Sequence, residues 1–303
     1  MAERWKPFIA LFIGLFAVST AAIFIRLAQE ENTPSLLVAA GRLTVAAVVL
    51  TPYALKRYRV ELQHLRPSDI RLGILSGAVL GLHFATWISS LEYTSVINSV
   101  VLVTTNPLWV AVMAPFILGE RISRWTIAGL ALAFGGGVLV ALSGEAGTAP
   151  TRSDPLLGNG LALFGAVMAA IYFIIGRRLR ARLPLIPYIW LVYSTAAVFM
   201  LVVALLWGHS LAQVSGLGLL WIVMLGLVPQ LIGHSSFNYA LGFLPAAYVS
   251  LIVLGEPIGS GVLAAIFLNE WPVWLQIIGA ALILLGIATA TQDQLRPKRK
   301  HAR

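Results

Sequence analysis

Ten runs of about twenty apolar residues, parted by short charged or Gly/Pro-containing breaks, constrain this chain more than any other feature. Each run has the length of helix needed to cross a hydrocarbon core of about 30 Å. The composition agrees: 59% of the residues are hydrophobic and 11% are charged, whereas a soluble domain carries about 25% charged residues. A water-soluble fold is therefore excluded. The runs predict helices over 7–28, 35–56, 69–91, 95–117, 122–143, 156–178, 185–207, 216–241, 245–268 and 272–292. The first follows Arg4 and Lys6 as a signal peptide would, but it is longer than a signal's apolar core and many spans follow, so it is read as a helix.

The charge pattern orients these spans. Of the 21 Lys and Arg, 18 fall on one side if both termini lie in the cytoplasm. They are Arg4 and Lys6, the group from Lys56 to Arg71, Arg121 and Arg124, the group from Arg177 to Arg182, and five in the tail from Arg296 to Arg303. Arg26 and Arg152 are placed outside, and Arg42 lies within the second span. Basic residues gather in cytoplasmic loops, so the chain is expected in the cytoplasmic (inner) membrane with both ends inside. The net charge of +9 is thus topological and does not imply nucleic acid. The absence of cysteine excludes disulfides and thiolate chemistry.

The sequence also repeats. Leu91 to Glu120 aligns without gaps on Leu241 to Glu270, an offset of 150 that pairs Asn106-Pro107 with Glu256-Pro257, Gly129 with Gly279 and Gly136 with Gly286. Near the start of each half, Ala21-Ala22-Ile23-Phe24 resembles Ala169-Ala170-Ile171-Tyr172 at an offset of 148. Five spans per half is odd, so the second half must insert inverted relative to the first, a recurring plan in secondary transporters. The expected fold is an all-α integral membrane protein of ten transmembrane helices in two inverted five-helix repeats, 1–146 and 147–303, the second ending in a basic cytoplasmic tail.

This arrangement resembles the EamA-type branch of the drug/metabolite transporter superfamily. The resemblance rests on Ser19 to Arg26 in the first helix, Ala40-Gly41-Arg42-Leu43 in the second, Leu91 with the stretch Asn106-Pro107 to Gly119-Glu120, and its counterpart from Ala246 through Glu256-Pro257 to Asn269-Glu270. It covers about 8–292. It implies alternating-access carriers of small metabolites, often exporters of amino acids or related compounds. One departure is Thr20, where many relatives carry Trp.

Among the twelve acids, only Glu256 falls near the middle of a span. A charge at that depth costs about 2.5–3.5 kcal/mol unless it is paired or protonated. Glu256 is thus the first candidate for proton coupling or for binding a substrate amine, against a structural role tying helices together. Pro257 and Pro107 follow Glu256 and Asn106 at equivalent positions; each removes a backbone hydrogen bond, so they are candidate hinges. Irregular backbone at such depth must face protein or a water-filled cavity. Arg42 is the only basic residue expected well inside a span. It could meet Glu256 or a substrate carboxylate, or snorkel outward along its own stem.

His83 and His234 fall one position apart when the halves are overlaid and could relay protons, or each could be satisfied by a neighbour. No metal-ligand spacing accompanies them. Thr20, Trp87, Tyr172, Gln230 and Asn238, with Ser19, Asn98, Thr104, Thr105, Tyr193 and Tyr248, could line a pocket or simply pack. Trp5, Trp125, Trp207, Trp271 and Trp274 fall near helix ends as interface anchors. Gly73, Gly77 and Gly81, like Gly129, Ala133 and Gly137, form ridges of small residues for close helix approach. The tail from Arg296 to Lys300 is expected at anionic headgroups.

The expectation is a secondary transporter of small polar organic solutes, an exporter rather than an enzyme, working without a cofactor as a monomer or homodimer. Its partners would be a small-molecule substrate, protons and membrane lipids. Helices 1, 3, 4, 6, 8 and 9 would build the central site. An uncoupled facilitator, an importer, a membrane-embedded enzyme and a non-transporting sensor are the competing readings.

Overall fold

A computed structural model describes residues 2–120, 122–142, 154–269 and 271–295. Arg121, Glu145, Arg152, Glu270 and the tail from Arg296 to Arg303 lie outside the described residues. All regular structure among those described is helical. Eight segments are long and apolar enough to cross a membrane: Trp5–Glu30, Ser35–Arg57, Pro67–Tyr93, Asn98–Ile117, Pro155–Arg180, Leu185–Leu206, Gly216–Leu241 and Ala246–Phe267. Shorter apolar stretches, Arg124–Leu139 and Ile277–Ala290, stand where the fifth and tenth spans are expected. Lipid offers no hydrogen bonds, so such segments must satisfy their backbone internally, and a helix does so. The outward faces carry large apolar side chains, such as Phe12, Phe16, Phe116 and Leu206, all well exposed. On a water-soluble surface so much exposed apolar area would drive aggregation; here it meets acyl chains.

Three of the spans are broken near their middle. The first divides at Thr20 into α1 (Ala2–Ser19) and α2 (Ala21–Glu30). After α3 (Ser35–Arg57), the short α4 (Arg59–Gln63) and α5 (Pro67–Tyr93), the fourth span divides at Thr104-Thr105 into α6 (Val96–Val103) and α7 (Asn106–Ile117). α8 (Arg124–Leu142), α9 (Pro155–Arg180), α10 (Leu185–Leu206) and α11 (Gly216–Leu225) follow. A nine-residue π-helical segment, Gly226–His234, then leads into α12 (Ser235–Leu241). The ninth span divides at Leu254-Gly255 into α13 (Ala246–Val253) and α14 (Glu256–Phe267), and α15 (Trp274–Leu295) closes the chain.

Local chemistry fixes these boundaries. Ser95, Asp154 and Ser215 accept hydrogen bonds from the backbone N–H three residues on, capping α6, α9 and α11. Gly119 (φ 66°) and Asn269 (φ 56°) both take the left-handed conformation just past α7 and α14, at equivalent places in the two halves. Glycine and asparagine are the residues that tolerate that conformation at a helix C-terminus. Pro107 and Pro257 each occupy the first turn of a half-helix, where the missing N–H costs nothing. The prolines thus begin new helices instead of merely bending old ones.

Glycines set the helix contacts. A Cβ on Gly41 would meet Ile222, and one on Gly73 would meet Leu191. A Cβ on Gly77 would meet Thr195 and the Val192 carbonyl, and one on Gly226 would meet Val45 and the Arg42 carbonyl. α8 and α15 pack so closely that Gly129 faces the Gly286 carbonyl and Gly136 the Gly279 carbonyl. One expected ridge needs correction. The contact stripe on α8 runs through Gly129, Ala133 and Gly136, while a Cβ on Gly137 would touch only Val101 at 3.7 Å. A stripe of i, i+4 and i+7 follows the 3.6-residue turn better than i, i+4 and i+8 when two nearly straight helices meet.

Candidate functional site

The helix breaks converge on one cavity with about 480 Å³ of empty space. Its walls are Val18 and Ala21 of the first span, His83 and Trp87 of α5, Val103, Thr104 and Asn106 of the fourth span, Ala169, Tyr172 and Phe173 of α9, His234 and Phe237 of the eighth, and Val253 and Glu256 of the ninth. Of the candidates named from the sequence, Glu256, His83, His234, Asn106, Trp87, Tyr172 and Thr104 are brought to this one surface.

Glu256 is the first residue of α14. It is buried, lines the cavity, and takes no hydrogen bond or ion pair from the described residues. A helix N-terminus carries a partial positive charge, which steadies the carboxylate from behind. Asn106 holds the equivalent position at the head of α7 and is also buried, and its side-chain oxygen has no hydrogen-bond partner among the described residues. The break that exposes each residue is set by the proline that follows it.

The two histidines stand close together. Their ring centroids are 6.5 Å apart, and Trp87 stacks on His83 at 5.9 Å and 16°. His83 Nδ1 lies 2.9 Å from the Gly165 carbonyl, so that nitrogen carries the proton and Nε2 is left as an acceptor. His234 sits among Phe84, Tyr172 and Phe237.

The remaining candidates stand one layer back. Asn238 donates from Nδ2 to the Tyr172 hydroxyl at 2.6 Å and to Tyr193 at 3.3 Å, and so fixes the ring that walls the cavity. Gln230 is fully buried within the π-helical segment and outside the cavity lining. Thr20 sits at the break of the first span, where its hydroxyl bonds the Ala17 carbonyl at 2.8 Å; it does not line the cavity.

Arg42 departs from one of its expected roles. Snorkelling is ruled out, because the residue is fully buried and its guanidinium carbon lies 3.9 Å over the Phe84 ring. None of its three nitrogens has a hydrogen-bond partner among the described residues. Among the described residues no ion pair within 4.0 Å joins it to Glu256. Arg42 is also not alone in its span-interior position. Arg26 is buried as well, donating to the Leu91 carbonyl at 2.7 Å and to Thr94 at 3.4 Å. At one end of the bundle Arg177 repeats this contact on Leu241, the counterpart of Leu91, at 2.7 Å. Arg177 also binds Glu120, which in turn accepts from the Ala246 N–H at 3.1 Å.

Several contributors escape a reading of residue types. Phe84 carries the Arg42 contact, and Phe173 and Phe237 complete the aromatic wall. The 150-residue offset holds the signal for two of them, since Phe84 aligns with His234 and Phe237 with Trp87. The π-helical segment has no signature in composition.

The EamA-like transporter family model matches this chain twice, over residues 5–142 and 156–292. A Bacillus subtilis (strain 168) protein described as "Uncharacterized transporter YyaM" is 28% identical over 262 residues, covering 84% of this chain and 83% of that protein. A protein of Streptantibioticus cattleyicolor described as a "Probable terminal-alkyne amino-acid exporter" is 26% identical over 261 residues, covering 86% of this chain and 85% of its own. A solved crystal structure shares the fold with a TM-score of 0.74 at 22% identity, over 95% of this chain and 98% of that one. The matches cover nearly every apolar segment described above. The chain is a multi-pass membrane protein and belongs to the EamA-like transporter family.

Proposed function

We propose that this protein is a secondary transporter that carries small polar organic metabolites, amino acids among them, outward across the cytoplasmic membrane in exchange for protons. The observation that carries this reading is Glu256, a buried carboxylate without a hydrogen-bond or ion-pair partner among the described residues, on the wall of a cavity at the meeting point of broken helices. Charges inside a membrane are costly and persist where a substrate or ion uses them. Half-helices ending at a central cavity are a device of secondary transporters.

Alternating access of two inverted halves, 1–146 and 147–303, supplies the motion. Supporting this is the way contacts exchange between halves. The Gly41–Ile222 and Gly73–Leu191 contacts are near-equivalents, as are Gly77–Thr195 and Gly226–Val45, and Gly129–Gly286 and Gly136–Gly279. The cavity itself is lined by equivalent pairs: Ala21 with Ala169, Trp87 with Phe237, Val103 with Val253, and Asn106 with Glu256. Such a site sits on the axis relating the halves, where rocking exposes it to each side in turn. Pro107 and Pro257 are the hinges of this motion. The two short apolar helices complete ten spans, and both termini face the cytoplasm.

The outward direction follows the relative described as an amino-acid exporter. The test is flux into proteoliposomes of an amino-acid panel, with and without an imposed pH gradient. Gradient-driven accumulation of a panel member supports a coupled carrier. Flux indifferent to the gradient overturns the coupling, and no flux of any solute overturns the transport reading.

A further inference from the structure

We infer that a bilayer lipid inserts the end of one acyl chain behind two of the helix breaks, into an apolar crevice distinct from the cavity of Glu256. The site takes hydrocarbon and no polar solute. It goes beyond the transport reading and holds whatever that solute is.

A second cavity, with about 790 Å³ of empty space, lies where the breaks of the fourth and ninth spans face α8 and α15. The surface it presents is almost wholly apolar. Its two hydroxyls are already engaged: Thr104 donates to the Val100 carbonyl at 2.7 Å, and Thr105 to the Leu102 carbonyl at 2.7 Å. A water held there would lack the two to four polar partners it needs, so the space excludes water. Protein interiors seldom leave voids larger than a water molecule, and an empty apolar one costs stability.

The surroundings say what fills it. Trp109, Phe134 and Leu163 on its lining are exposed, whereas Val101, Ala133 and Leu254 are buried. The crevice thus runs inward from the apolar face that meets acyl chains. It lies beside breaks near the middle of their spans, at the depth of hydrocarbon and not of headgroups. The medium at its opening is therefore the one its lining suits. Gly137 keeps the space clear, since a Cβ there would touch only Val101, at 3.7 Å.

The position gives the chain a consequence. Thr104 belongs to the walls of both cavities. At the ninth-span break, Val253 and Glu256 line the first cavity while Leu254 and Pro257 line the second. An inserted chain bears on both junctions from the side away from the solute cavity. Any movement of α7 or α14 about its break changes the room this chain has.

The test reconstitutes the full-length protein in phosphatidylcholine vesicles doped with a phosphatidylcholine that carries a diazirine at the end of one acyl chain. After irradiation, adducts are mapped by mass spectrometry. Adducts should appear on buried Val101, Ala133 and Leu254 as well as on outward residues such as Phe116. A lipid with the diazirine beside its headgroup should leave the buried three unlabelled. Gly137→Leu, which fills the crevice, should bring their labelling to background. Gly135→Leu, on the same helix but away from the crevice, should keep it. Adducts of the native protein confined to outward residues would overturn the proposal without any variant. So would equal labelling of the buried three from both lipids, or labelling that persists in a Gly137→Leu protein of unchanged melting temperature.

Discussion

Glu120 and Arg177, one from each half of the chain, meet at 2.7 Å where the fourth and sixth spans end together. The carboxylate also accepts from the Ala246 N–H, and the guanidinium also donates to the Leu241 carbonyl. Four segments are thereby tied together at one mouth of the bundle. Under the alternating-access motion proposed above, opening at this end would break this knot.

Glu120→Gln should loosen that mouth by about 1 kcal/mol, since the pair is only partly shielded from water. The chain has no native cysteine, so Ala169→Cys places a unique thiol on the cavity wall. Its alkylation should quicken several-fold in the Glu120→Gln background. An unchanged rate would show that the knot does not guard the cavity.

The α8–α15 contact makes a sharp prediction about stability. A Cβ on Gly136 would lie 2.4 Å from the Gly279 carbonyl, whereas one on neighbouring Gly135 meets nothing within 4 Å. Gly136→Ala should therefore cost about 1–3 kcal/mol through overpacking. Gly135→Ala should stay within about 0.5 kcal/mol of the native protein. Thermal unfolding in detergent reads both, and equal melting temperatures would contradict the packing described.

Asn238 acts on the cavity at one remove. Asn238→Leu removes the amide donor shared by the Tyr172 and Tyr193 hydroxyls, leaving Tyr193 only its Ser235 contact, and should cost about 1–3 kcal/mol. Because Tyr172 walls the cavity, substrate half-saturation should rise while the maximal rate holds. A fall in rate alone would place Asn238 in the motion instead of in binding.

Topology is open to the same thiol chemistry. Glu30→Cys and Glu61→Cys both place exposed thiols, at opposite ends of the bundle by charge count. An impermeant maleimide applied to intact cells should modify the first and spare the second. The reverse pattern would invert the orientation, and equal labelling would contradict the spans between them.

Much of this was legible in the sequence because membranes enforce simple rules. Apolar length placed eight membrane-length segments among the ten expected, and the lone mid-span acid, Glu256, lies on the cavity wall. The doubling of Asn106-Pro107 and Glu256-Pro257 pointed to two irregular sites, and the structure shows full breaks there. The break at Thr20 had no proline to announce it, and the π-helical segment arises from packing that no local pattern encodes. Arg42 looked free to snorkel because its distance along the helix to the interface is short. Which face of α3 it occupies depends on Phe84, from another helix, and that is a tertiary fact. Counting charges puts Arg26 on the outer side, while its side chain turns inward to the Leu91 carbonyl of α5.

We propose Glu256 as the working charge of a coupled carrier. Its most direct test compares native protein and Glu256→Gln in proteoliposomes, following amino-acid accumulation under an imposed pH gradient. The native protein should accumulate substrate only with the gradient. The variant should lose that response while keeping its melting temperature and gradient-independent exchange. Gradient-driven accumulation that survives in Glu256→Gln would contradict the account and make this carboxylate a structural one.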